Sequence, residues 1–162
     1  MGIDEHGPAL RPSATRAAPA GERAARTLET TTFVAGLRLT GICAPFVLDG
    51  PMNRHTFETY LAKVLAPELW PGDVVIMDNL SSHKGPRVQE LVEAAGANLR
   101  YLPPYNPDFN PIENAFVKLK ALLRKTAART VEALWAAIGR LIDTFTPAEC
   151  ANYFTAAGYD AT

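Results

Sequence analysis

The stretch that most constrains the fold runs from Val74 to Arg124, because its pattern changes twice between strand and helix. The apolar run VVIM before Asp78 is typical of a central parallel strand that is covered on both faces. A helical stripe follows, then the strand NLRYL, and then a ten-residue loop rich in proline and asparagine that ends at Glu113. Strands that alternate with helices in this way predict a βαβ unit and an α/β fold.

The flanking sequence predicts a hairpin before this unit and helices after it. From Thr30, the segment TTTFVAGLRL and the segment ICAPFVL are β-rich and are separated by a Thr-Gly turn, while Pro45 indicates an edge or a bulge in the second strand. Asn53 and Thr130 are expected helix caps. The sequence Thr146-Pro147-Ala148-Glu149 is a capping box that opens a short last helix, so the C-terminal end is predicted to be helical.

Length and composition fit one soluble domain. The chain has 162 residues, 48% of them hydrophobic, and a formal charge of −1. We expect residues 1–28 to contain a truncated first strand and an irregular Ala/Pro/Arg-rich segment, and residues 29–162 to form the domain. The sequence shows no signal peptide and no membrane-spanning run, and its two cysteines are not in a metal-type spacing. A cytoplasmic protein is therefore expected.

Two carboxylates are the first candidates for chemistry. Asp78 follows the buried strand and so lies at the carboxyl edge of the sheet, where open α/β folds place their sites. The alternative is that Asp78 and Asn79 only form a turn. Glu113 lies in the first turn of a helix, where Asn110 and Glu113 could equally form a capping box without any catalytic role.

Asp4 is the third candidate, since a strand ending near it could lie beside Asp78. Three converging carboxylates repel one another unless cations neutralise them. Ligand sets made only of oxygen select Mg²⁺ or Mn²⁺, and two such ions roughly 4 Å apart suit in-line attack on a phosphodiester.

Cationic residues are candidates for DNA contact. His83 could contact a phosphate or carry a proton, or it could be a solvated loop residue. The helix after Glu113 is rich in lysine and arginine without any acid, which suits either a track for the DNA backbone or a solvated cationic helix end. The candidate DNA-binding residues are His83, Lys118, Lys120, Arg124 and Lys125.

Two segments, VVIMDNLSSHK and LPPYNPDFNPIENAFVKLK, carry a resemblance to a known family. They resemble the catalytic domain of DDE-type transposases of bacterial insertion sequences in the mariner-like superfamily. The 34 residues between Asp78 and Glu113 match the spacing of that superfamily, and Asp4-Glu5 matches its first acid. The resemblance covers nearly all of residues 29–160.

The resemblance implies a ribonuclease H-like fold, with a mixed sheet flanked by helices, and a metal-binding catalytic triad of Asp4, Asp78 and Glu113. It implies two Mg²⁺ or Mn²⁺ ions, cleavage of transposon ends by activated water, and attack of the freed 3′-hydroxyl on target DNA. The implied partners are transposon and target DNA and further transposase subunits, so the protein would lie on the bacterial nucleoid when bound to DNA.

This chain departs from the family pattern because it has no helix-turn-helix module and its first strand is expected to be a stub. An alternative function is therefore an inactive transposase remnant that binds DNA or transposase and regulates it. A third hypothesis is a small phosphate-ester hydrolase with Asp78 as nucleophile.

Overall fold

The computed structural model describes residues 31–160, so the predictions for Asp4 and residues 1–28 lie outside the described residues. The strands are β1 (Thr31–Arg38), β2 (Gly41–Asp49), β3 (Val74–Met77) and β4 (Asn98–Tyr101). The helices are α1 (Arg54–Tyr60), which a π-helical turn extends over Leu61–Leu65, α2 (Pro86–Ala94), α3 (Pro111–Thr126), α4 (Val131–Ile142) and α5 (Pro147–Ala156). Within residues 31–160, no helix is both long and apolar enough to cross a membrane.

Strands β1 and β2 form the predicted antiparallel hairpin, from the pair Thr31 and Asp49 to the pair Arg38 and Gly41. The register shifts between Val34 and Gly36, because β2 has one residue more than β1 at this point. The extra residue falls at Ala44-Pro45, which confirms the bulge expected at Pro45. A Cβ atom on Gly36 would lie 2.8 Å from Cys43 Sγ, so the bulge packs closely against a position without a side chain.

Strands β3 and β4 pair in parallel, as predicted, and the ladder continues where Leu102 N donates to Met77 O at 2.8 Å. The expectation that β3 is covered on both faces was wrong for residues 31–160. Val74 is 59% exposed and Met77 is the one fully buried residue of the strand. Among the described strands β3 pairs only with β4, and the four strands form two separate two-stranded sheets.

The hairpin separates two hydrophobic cores. Val34 and Phe46 pack against a core that α1, its π-helical turn, β3 and α2 complete. Phe33 and Leu37, which alternate with Val34 along β1, pack against a second core built from α3, α5 and Phe145. One strand pair therefore sets the position of the helices on both of its sides.

Three predicted helix starts are confirmed by their side-chain caps. Asn53 Oδ1 accepts from Thr56 N at 2.9 Å, Thr130 Oγ1 from Ala133 N at 3.1 Å, and Thr146 Oγ1 from Glu149 N at 3.2 Å. The Glu149 side chain does not complete the expected capping box, because both of its carboxylate oxygens accept from a lysine on α3.

A polar contact joins the end of β1 to the start of β3. The Arg38 guanidinium donates to Asp73 Oδ2 at 2.6 Å and to Glu68 O at 2.8 Å. The hydrogen bond from Arg38 holds the pKa of the Asp73 carboxyl below its ordinary value. The contact ties together the two sheets, which share no backbone hydrogen bond among the described strands.

We expect Arg38→Met to lower the free energy of unfolding by about 1.5–3 kcal/mol at pH 7, because it removes hydrogen bonds to a charged partner. Since the pKa of Asp73 is lower in the folded state, the stabilisation from this pair is complete above the unfolded pKa of about 3.9 and is lost as the pH falls through the folded value. Urea unfolding at pH 7 and at pH 3 should therefore show a smaller effect of the substitution in acid.

The matched control is Arg87→Met, which removes an exposed pair with Glu90 within α2. This control should change stability by less than about 0.5 kcal/mol. A control that costs as much as Arg38→Met would contradict the role given to the Arg38–Asp73 pair.

Candidate functional site

Asp78 directly follows β3, at the carboxyl edge of the parallel pair. Its side chain is 35% exposed, and its Oδ1 atom accepts a hydrogen bond from Nδ1 of His83. His83 ends a 3₁₀ turn at Ser81–His83 that brings the ring back over Asp78. The short turn after β3 therefore holds one oxygen of the carboxylate. An aspartate that only formed a turn would not need this contact.

Glu113 is the third residue of α3, as predicted. The Asn110 side chain makes no capping bond, and Glu113 N donates instead to the backbone oxygen of Asn110 at 3.1 Å. The capping-box alternative for Glu113 therefore lacks its side-chain cap. Within residues 31–160, the Glu113 carboxylate has no hydrogen-bond or ion-pair partner.

Asp78, His83 and Glu113 line one cavity of about 690 Å³, between β1 of the hairpin, β3 and the start of α3. Two of the three predicted acids thus line the same cavity, although they come from opposite sides of the hairpin. The third, Asp4, lies outside the described residues. Carboxylates in the lining of a cavity favour a bound cation there, because a cation neutralises their negative charge.

The donor atoms at this cavity suit a hard divalent cation, since they are carboxylate oxygens. Beside Asp78, the Oδ1 atom of Asn79 is buried and accepts no hydrogen bond from the part of the chain that the structure describes. Residues 31–160 contain no group of three or more His, Cys, Asp or Glu side chains that could hold a metal ion. Asp78 and Glu113 therefore fit part of an oxygen ligand set.

Two aromatic residues that the sequence did not mark as functional support His83. The Phe57 ring of α1 stacks on the His83 ring with centroids 4.1 Å apart, and the Tyr101 hydroxyl donates to His83 O at 2.7 Å. In the sequence, Phe57 is one of several apolar residues in the helix that Asn53 caps, and Tyr101 is a residue of the strand NLRYL. No sequence signal distinguished them from core positions.

The predicted DNA-binding cations differ in their surroundings. Lys118 Nζ donates to both carboxylate oxygens of Glu149 at 2.7 Å and lies 4.4 Å from the centre of the Phe145 ring. Lys120, Arg124 and Lys125 are exposed and form no ion pair with another residue in 31–160. Lys118 is thus held within the fold, whereas the other three present their charge to solvent.

The family model described as DDE superfamily endonuclease matches residues 2–135 of the sequence. The chain belongs to the DDE superfamily endonuclease family. The match spans both Asp78 and Glu113, which confirms the recognition made from their motifs. Comparison with curated protein sequences gave no match.

Two solved structures are similar to this DDE family member, and the first of them shows its fold. The catalytic domain of Mos1 mariner transposase superposes with a TM-score of 0.61 at 14% sequence identity, over 78% of this chain and 74% of that chain. The Mos1 transposase paired-end complex with left transposon end gives a TM-score of 0.49 at 17% identity, over 91% of this chain but only 50% of that chain. At 14% identity the first superposition shows the fold alone, and it confirms the ribonuclease H-like α/β fold with a helical C-terminal end.

We expect Lys118→Met to lower the free energy of unfolding by about 1.5–3 kcal/mol at pH 7, because it leaves Glu149 without its cationic partner. The hydrogen bond from Lys118 lowers the pKa of Glu149, so this stabilisation is complete above the unfolded pKa of about 4.3 and is lost as the pH falls through the folded value. Urea unfolding at pH 7 and pH 3 measures both effects.

The control is Lys120→Met, on the same helix but exposed, which should lower the free energy of unfolding by less than about 0.5 kcal/mol. Equal destabilisation in the two variants would rule out the contact between Lys118 and Glu149.

Proposed function

We propose that this chain is a transposase catalytic domain that cleaves DNA strands at transposon ends and joins them to target DNA. The observation that carries the proposal is the shared cavity, into which β3 brings Asp78 and α3 brings Glu113. Membership of the DDE superfamily endonuclease family supports the same chemistry.

The reaction needs no covalent bond to the protein. In the first step, the oxygen of a water molecule forms a bond to phosphorus as the bond from phosphorus to the 3′-oxygen breaks, which leaves a 3′-hydroxyl and a 5′-phosphate. In the second step, that 3′-hydroxyl attacks a phosphodiester of the target and displaces the target's own 3′-oxygen. Both are in-line displacements, so the protein must chiefly position charge around the phosphate.

Asp78 and Glu113, together with Asp4 as the third ligand, would hold one or two Mg²⁺ or Mn²⁺ ions. A bound divalent ion supplies positive charge that activates the attacking oxygen and stabilises the leaving one. The chain contributes the placement of two carboxylates. Among residues 31–160, the Glu113 carboxylate has no hydrogen-bond partner, and Asp78 binds His83 through Oδ1 while Oδ2 has no partner.

The first test of the proposal is Glu113→Gln. This change keeps the shape of the side chain but removes its charge, so Mg²⁺-dependent or Mn²⁺-dependent cleavage should fall by at least about 100-fold. The assay follows strand cleavage of DNA duplexes that carry the ends of the element encoding the chain. Glu132→Gln is a matched control, because Glu132 is also an acid in the first turn of a helix, α4, and is exposed.

Equal cleavage by Glu113→Gln and wild-type protein would overturn the proposal. No cleavage by the wild-type chain, with DNA binding retained, would favour the regulatory remnant instead. Rapid hydrolysis of small phosphate esters that depends on Asp78 but not on Glu113 would favour the phosphate-ester hydrolase.

We place the DNA backbone along α3, on the exposed cations beyond Glu113. A helix rises 1.5 Å per residue, so Lys120 and Arg124 lie roughly 10 Å and roughly 16 Å from Glu113 along the axis, on a similar face. Lys125 adds charge at the same end, while Lys118 is committed to Glu149. Because a transposon has two ends, the working form would contain at least two transposase subunits.

The double variant Lys120→Gln, Arg124→Gln should weaken DNA binding and reduce the slope of log K against log salt by about 0.9 for each phosphate that the protein no longer neutralises. Fluorescence anisotropy at several salt concentrations measures this slope. Arg140→Gln, an exposed cation of α4, is the control and should leave the slope unchanged. An unchanged slope in the double variant would exclude this face of α3 as the DNA track.

A further inference from the structure

His83 lies between the cavity and the first core, and its ring is held from two directions. One face of the ring stacks on Phe57 at an interplanar angle of 27°. The ring edge meets Asp78, with Nδ1 against Oδ1. The His83 side chain is 18% exposed, so it is more buried than the carboxylate it contacts.

The backbone of the turn that carries His83 is fixed as well. Tyr101, at the end of β4, donates from its hydroxyl to His83 O at 2.7 Å, and Arg54 of α1 donates to Ser81 O at 3.3 Å. Together with the Phe57 stack, these contacts come from two separate elements. The position of the ring is therefore set by the folded chain without any ligand.

The bond to Asp78 has a defined direction. An ionised carboxylate only accepts hydrogen bonds, so Nδ1 carries the proton and donates it to Oδ1. A carboxylate held at one oxygen cannot rotate freely, and its other oxygen, Oδ2, points in one direction. Holding a ligand in its binding orientation removes part of the entropy cost of binding, and second-shell partners of this kind typically change metal affinity 10- to 100-fold.

We propose that His83 is a positioning residue for Asp78, which orients the free carboxylate oxygen towards a divalent cation in the cavity. The inference rests on the proposed metal-dependent function and adds a role that differs from the DNA contact or proton carrier expected from the sequence. Those roles would use Nε2, whereas positioning uses Nδ1.

A pair of amide variants can distinguish the role of Nδ1 from that of Nε2. In His83→Asn the side-chain amide takes approximately the place of Nδ1, so it can still donate to Asp78. In His83→Gln the amide takes approximately the place of Nε2, and the donor to Asp78 is removed. Binding of Mn²⁺ to the full chain, followed by the electron paramagnetic resonance signal of free Mn²⁺, is the readout and needs no DNA and no activity.

His83→Gln and His83→Ala should weaken Mn²⁺ binding by about 10- to 100-fold, while His83→Asn should stay within about threefold of wild type. The inference would be overturned if His83→Asn bound Mn²⁺ as weakly as His83→Gln does. It would also be overturned if all three variants kept the wild-type affinity for Mn²⁺. Unchanged Mn²⁺ binding in Asp78→Asn and Glu113→Gln would instead overturn the proposed function, so the two failures are distinguishable.

Thermal melting of the metal-free proteins first excludes any variant that does not fold. A double-mutant cycle of His83→Ala with Asp78→Asn then measures whether the two residues act together. We expect His83→Ala to cause no further loss of Mn²⁺ affinity once Asp78 is replaced. Additive losses would show that His83 acts independently of Asp78 and would reject the positioning role.

Discussion

The packing of the β1–β2 hairpin between two cores is the constraint on which the rest of the structure depends. One face of the hairpin packs on α1 and its neighbours, and the other packs on α3 and α5. The Arg38–Asp73 pair then ties β1 to the start of β3. Because Asp78 follows β3 and Glu113 lies in the first turn of α3, the packing of this one hairpin sets the relative position of the two acids. A change in hairpin packing would therefore alter the site without touching either carboxylate.

The site combines a supported acid with an uncommitted one. Asp78 is held at one oxygen by His83, whose ring is stacked on Phe57 of the first core. Glu113 lies in the first turn of α3, which packs in the second core, and its carboxylate has no partner among residues 31–160. A cation bound between them would link the two sides of the hairpin, so we expect metal binding to stabilise the fold as well as to assemble the site.

The sequence was sufficient for features that depend on local patterns. The hairpin, the parallel β3–β4 pair, the caps at Asn53 and Thr130, and the paired motifs around Asp78 and Glu113 all follow from residues that are close together or at a family-specific spacing. The sequence was insufficient to predict contacts between residues that are far apart along the chain. The Lys118–Glu149 pair replaces half of a predicted capping box, and the Phe57 stack turns a core residue into support for the site. Such contacts are set by tertiary packing, which local pattern does not encode.

The central claim is that Asp78 and Glu113 bind the same divalent cation, and local cleavage of the protein by a substituted ion tests it most directly. Fe²⁺ can replace Mg²⁺ and, with ascorbate and peroxide, produces hydroxyl radicals that cut the polypeptide close to the ion. The account predicts cuts near both Asp78 and Glu113 that excess Mg²⁺ suppresses together. Cuts at other segments, or cuts near only one of the two acids, would contradict it.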